Sequence, residues 1–175
     1  MRRICSIKAE FERHLFPSGW KISRMTDLLK AIVYGGAACG ILDSVAATAQ
    51  FALRGIEPLR VWQGVASGLI GESAFGMGWF SGAFGLVLHF LIAVIVTTVF
   101  VGACPQFPAL QQFYWISGPL YGVIVFLVMN LIVVPLSARP KKQAPVVVIT
   151  VQILIHMFFV GLPIAMAANR FLSHE

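Results

Sequence analysis

Four stretches of this chain are too long and too apolar for a water-soluble domain. They fall at about 31–53, 80–103, 116–137 and 146–168. Each is long enough to cross a bilayer, which takes about 20 residues of helix. Lipid supplies no hydrogen bonds, so every backbone group in such a stretch must be paired within it. The stretches are therefore expected to be helices, and the alternation of a membrane β-barrel is absent. Of the 175 residues, 58% are hydrophobic and 11% charged, against roughly half and a quarter in ordinary soluble domains. The expected fold is an all-α integral membrane protein with four transmembrane helices, formed by residues 29–175. A short interfacial helix is expected between the first and second spans.

Residues 1–28 form a basic segment carrying Phe11, Leu15, Phe16, Trp20 and Ile22. That mixture predicts an amphipathic segment at the membrane surface. It lacks the short apolar core and small-residue cleavage site of a signal peptide, so the first apolar run is expected to be the first span. Basic residues set the orientation. Arg2, Arg3, Lys8, Arg13, Lys21, Arg24, Lys30 and Arg170 lie on one side, and Arg54, Arg60, Arg139, Lys141 and Lys142 on the other. The positive-inside rule then places both termini in the cytoplasm. The basic tail is expected to meet anionic lipid rather than nucleic acid.

Between the first two spans, EPLRVWQGVASGLIGE (57–72) opens with a proline suited to a helix start. Leu59, Trp62, Ala66 and Leu69, with Val65 beside them, recur at helical steps. The run is too short and too polar to span, so a helix at the interface is predicted. The glycine-rich stretch after it reads as a turn. Pro105 and Pro108 stop the second span, and Tyr114 and Trp115 anchor the third. The second and third loops are short, which predicts that successive helices are antiparallel neighbours. Pro119, Pro135 and Pro163 are expected to bend or end helices.

Membrane helices associate through close backbone contact at small residues. Three GxxxG pairs supply candidate contacts: Gly36–Gly40, Gly78–Gly82 and Gly118–Gly122. At about 100° per residue, Gly36, Gly40, Asp43, Ala47 and Gln50 share one helical face. Asp43 therefore lies on a packing face although it sits in an apolar span. His89 shares a face with Gly82 and Gly85, His156 with Gln152, and the third span offers Asn130. Asp43, His89 and His156 each fall near the middle of a span. Asp43, His89, Asn130, Gln152 and His156 form a candidate polar layer at the midplane. Ionisable residues at such depth are costly and point to function. Cys5, Cys39 and Cys104 have no metal-site spacing and read as small apolar fillers.

Several uses of this layer are open. The layer could hold helices together by hydrogen bonds in a non-catalytic structural or accessory subunit, bound to other membrane subunits or to a second copy. A carboxylate with two imidazoles could instead hold and pass protons in a small transporter or proton-conducting protein. His89 and His156 could also serve as axial ligands to haem or chlorophyll. No HExxH, GxSxG, P-loop or dinucleotide motif is present, and an enzyme is not expected. The first of these, the accessory subunit, is the leading expectation, with no cofactor.

Larger motifs carry a resemblance. GLVLHFLIA (85–93), LYGVIVFLVMNLIVVPLSA (120–138), ILDSVAA (41–47) and PLRVWQGVASGLIG (58–71) resemble a group of small bacterial inner-membrane proteins without an assigned activity. The layout is similar to that of the YagU-like proteins: a histidine in an HF-type helix, a proline ending the next helix, and a histidine in the last span. The likeness covers most of residues 30–170 and is looser around Asp43. It implies a multi-pass protein of the bacterial cytoplasmic membrane.

Overall fold

The computed structural model describes residues 22–140 and 145–173. Among these residues there is no strand. The helices are α1 (Ile22–Ala52), α2 (Pro58–Ile70), α3 (Gly78–Ala103), α4 (Ala109–Gln112), α5 (Tyr114–Leu136) and α6 (Val146–Leu172). Four of them, α1, α3, α5 and α6, are long and apolar enough to cross a membrane. Their outward surfaces are apolar: Val87 is 65% exposed, Leu131 69% and Val147 66%. Lipid can solvate such a surface and water cannot.

Helix α1 begins at Ile22, well before the apolar run at 31. Lys30 Nζ donates to Asp27 Oδ1 at 2.9 Å, an i, i+3 pair of the kind that supports a helix through charged residues. Residues 22–28, expected to lie in the surface segment, are therefore continuous with the first span. Residues 1–21, and with them the rest of that expectation, lie outside the described residues.

Chain direction sorts the ends of the spans. The C-terminal ends of α1 and α5 and the N-terminal ends of α3 and α6 share one face of the bundle with α2. The α2 helix starts with Pro58 at its first turn and stops at Gly71, where φ is +66°. A 3-10 turn over Gly71–Gly76 leads to Gly78, φ +60°, which opens α3. Positive φ at these two corners is a conformation that glycine adopts without a Cβ clash. Gly78 was expected to be half of a packing pair. It is exposed, nothing lies within 4 Å of where its Cβ would be, and its role is the turn.

The spans form an open row. Helix α1 packs on α3 and on α6, and α6 packs on α5. Glycine makes each contact close. A Cβ at Gly40 would lie 2.7 Å from the Phe90 ring, and one at Gly36 3.3 Å from Val94 Cγ2. A Cβ at Gly118 would lie 2.9 Å from Leu162 Cα, and one at Gly122 would overlap the His156 carbonyl. Gly161 faces Gly118 and Gly122 from the other helix, so α5 and α6 meet backbone to backbone. The short second loop does not bring α3 and α5 into the same close contact. An apolar groove of about 480 Å³ separates them. It is bridged where the Tyr121 ring meets that of Phe100 at 4.9 Å, tilted by 57°, and the Tyr121 hydroxyl donates to the Val96 carbonyl at 2.6 Å.

The prolines act by local widening. A π-turn over Met129–Val133 precedes Pro135, and another over His156–Gly161 precedes Pro163. Proline has no N–H and its ring crowds the carbonyl four residues back. A wider turn relieves that crowding without ending the helix.

Helix α2 lies across the first half of α3. Of the apolar stripe Leu59, Trp62, Ala66 and Leu69, only Ala66 is buried; the other buried residues of α2 are Gln63, Gly64 and Ser67, and Leu69 is 64% exposed. The preference is inverted relative to a soluble protein, because lipid accepts leucine while small and polar groups are better placed against protein. Gln63 Nε2 donates to the Gly78 carbonyl at 3.0 Å. The Trp62 carbonyl sits so close to Gly85 that no side chain fits there. On its other edge α2 meets the third loop, where the Ala138 N–H donates to the Gly68 carbonyl at 2.9 Å.

Candidate functional site

A cavity of about 110 Å³ lies between the spans. Cys39 and Asp43 of α1, Val65 of α2, His89 and Val96 of α3, Met129 of α5 and His156 of α6 are among its lining residues. Counting at about 1.5 Å per residue, Asp43 lies about 9 Å, His89 about 2 Å and His156 about 5 Å from the centres of their helices. All three are displaced toward the α2 face. The three side chains are thus brought together by three helices, on the α2 side of the helix centres.

Each histidine is oriented by a backbone carbonyl. His89 Nε2 lies 3.0 Å from the Gly40 carbonyl oxygen. A carbonyl only accepts, so Nε2 carries the proton and Nδ1 is the free lone-pair nitrogen of the neutral ring. Gly40 permits this approach of α3 to the α1 backbone. His156 Nδ1 lies 2.8 Å from the Gln152 carbonyl of its own helix, so its free lone-pair nitrogen is Nε2. The two imidazoles are locked in opposite tautomers. Aromatic rings wall them in: Trp62 and Phe90 meet His89 at 5.3 and 5.6 Å, and Phe126 meets His156 at 5.5 Å.

Asp43 faces Nδ1 of His89. Oδ2 and Nδ1 are 3.9 Å apart, with the two side chains 17% and 14% exposed. That distance exceeds a hydrogen bond. It is the kind of separation a water molecule bridges. One water needs roughly 10–15 Å³ of such space, so the cavity has room for several beside the carboxylate and the imidazoles. Cys39 Sγ lies 3.7 Å from Thr97 Oγ1 and points its weak donor at the Gly36 carbonyl.

The remaining members of the expected layer are elsewhere. Gln152 lies one turn from His156, toward the α2 face. Its Nε2 donates to Gln50 Oε1 at 3.3 Å, and Gln50 Nε2 donates to the Val148 carbonyl at 3.3 Å. Asn130 is exposed and donates to the Phe126 carbonyl of its own helix at 2.9 Å. The π-turn beginning at Met129 takes α5 off the 3.6-residue register, and Met129 lines the cavity instead. Cys39, Val65 and Trp62 join the site without having been singled out for it. Cys39 was readable, since it lies four residues before Asp43 on the glycine face. Val65 and Trp62 reach the site only because α2 folds back over α3.

The haem or chlorophyll alternative would draw its axial ligands from His89 and His156. Pockets for small molecules run to about 300–1,000 Å³, and His89 already places one nitrogen on Gly40 and the other toward Asp43. Among the described residues no group of three or more His, Cys, Asp or Glu is placed to hold a metal ion. Compared with known protein families, curated proteins and solved structures, the chain finds no match.

Proposed function

We propose that this chain is a multi-pass membrane protein that binds and moves protons through the Asp43–His89–His156 cavity. The observation that carries this reading is the Asp43–His89 pair. A carboxylate and the free lone-pair nitrogen of a tautomer-locked imidazole face each other at 3.9 Å beside a cavity with room for water. Asp43 would be the proton carrier, His89 the group that modulates it, and His156 the second station across the cavity. The YagU-like layout, a bacterial inner-membrane location and cytoplasmic termini belong to the same proposal.

Proton flux into proteoliposomes under an imposed potential, read by an enclosed pH dye, tests it. Wild-type protein should carry protons above the level of protein-free liposomes, and Asp43→Asn should return to that level. Equal flux from both proteins, or none from wild type, rejects transport. The accessory-subunit reading, in which the polar layer is interhelical glue, is then the one left standing.

A further inference from the structure

The two sides of the cavity are built differently. Toward the α2 face polar groups continue beyond His156 along the α1–α6 seam. His156 Nδ1 meets the backbone carbonyl of Gln152; the Gln152 side chain donates from Nε2 to Gln50 Oε1, and Gln50 Nε2 donates to the backbone carbonyl of Val148 in the first turn of α6. A primary amide has two donors and two acceptor lone pairs, and these bonds use only part of that capacity. Two glutamines in an apolar seam are expensive unless their remaining groups meet water or each other. Toward the opposite face the seam is dry. Thr97, Val101, Ile164 and Ala168 are fully buried. The Thr97 hydroxyl is bonded to the Ala93 carbonyl of its own helix at 2.7 Å. A Cβ at Gly35 would stand 3.1 Å from Thr97 and 3.2 Å from Ala167, so α1, α3 and α6 touch with no room for water.

We infer that the cavity exchanges protons with the α2 face alone, along the Gln50–Gln152 seam, and that the α1–α3–α6 contact around Thr97 and Ile164 is a closed barrier on the other side. This deepens the proton-handling reading and rests on it for the identity of what is exchanged. The structure is then one state of a carrier. Passage to the opposite face requires the glycine-mediated contact at Gly35 to part.

Single-cysteine labelling tests the asymmetry. In a background with Cys5, Cys39 and Cys104 replaced by alanine, a membrane-impermeant methanethiosulfonate is added to vesicles of either orientation. Leu53→Cys, 89% exposed at the end of α1, reports the α2 face. Ala47→Cys should label from the same side as Leu53→Cys, at least tenfold faster than Thr97→Cys or Ala168→Cys from either side. Gln50→Cys serves as a second probe should Ala47→Cys fail to fold, judged by its melting midpoint in detergent. Comparable labelling of Thr97→Cys, labelling of the seam probes from the opposite side only, or folded seam probes that do not react at all would each overturn the inference. Labelling does not require flux. One-sided labelling without flux rejects transport and keeps the asymmetry, and flux with labelling from both sides does the reverse.

Discussion

The two halves of the bundle use the same four helices to opposite ends. In the half away from α2, small residues bring α1, α3 and α6 into contact over a core of Ala31, Val101, Ile164 and Ala168, each 0% exposed. In the half next to α2, both π-turns widen their helices, α2 crosses α3, and the cavity holding Asp43, His89 and His156 opens. The difference teaches where stability and chemistry are separated. Lipid gives no hydrophobic drive for helices to associate, so cohesion must come from close backbone contact. The dry half and the α5–α6 glycine seam supply it, which leaves the polar half able to hold space.

Substitutions can break this contrast, beginning with the glycine seam. Gly122→Val places a side chain against the His156 backbone between two spans that cannot separate. It should cost about 3 kcal/mol or more, visible as loss of folded protein in detergent melting. Truncation in the dry half should come next. Ile164→Ala should cost about 2–3 kcal/mol, and Ile92→Ala beside the cavity less than half of that, because its surroundings are already incompletely packed. Equal costs would erase the distinction between the halves. Gly85→Ala pushes on the Trp62 carbonyl, but α2 is peripheral and can lift. About 1–2 kcal/mol is expected, with faster amide hydrogen exchange in residues 58–70 and little change in α5 and α6. The smallest stability effect should come from His89→Phe. It removes one interhelical bond to Gly40, and such bonds contribute about 0.6 kcal/mol on average in membrane bundles.

Much of this architecture was legible from apolar run length and from glycine spacing. Gly36, Gly40, Gly118 and Gly122 could be placed on contact faces because a straight helix carries its register forward. What could not be read depended on departures from that register or on contacts remote in sequence. Asn130 fell off the predicted layer at a π-turn, whose widening reflects Pro135 further along. Gly161 has no GxxxG partner in its own helix, and its importance comes from Gly118 and Gly122 on another. Gly78 matched the packing pattern, but a turn with φ +60° needed it first. The Leu59–Leu69 stripe of α2 was legible and leaves Leu69 exposed, whereas the burial of Gln63, Gly64 and Ser67 against the rest of the chain had no signal in the apolar spacing. Asp43 and His89 were each suspicious alone; their pairing required the α1–α3 contact through Gly40.

The central claim is that Asp43 exchanges a proton inside the bundle with an imidazole as its neighbour. Infrared difference spectroscopy of the reconstituted protein, recorded as the pH is varied, measures this directly. The account predicts a carboxylic-acid carbonyl band that rises and falls with pH in wild type, disappears in Asp43→Asn, and shifts its midpoint in His89→Phe. A titrating band that survives in Asp43→Asn, or a wild-type protein with no such band, would contradict it.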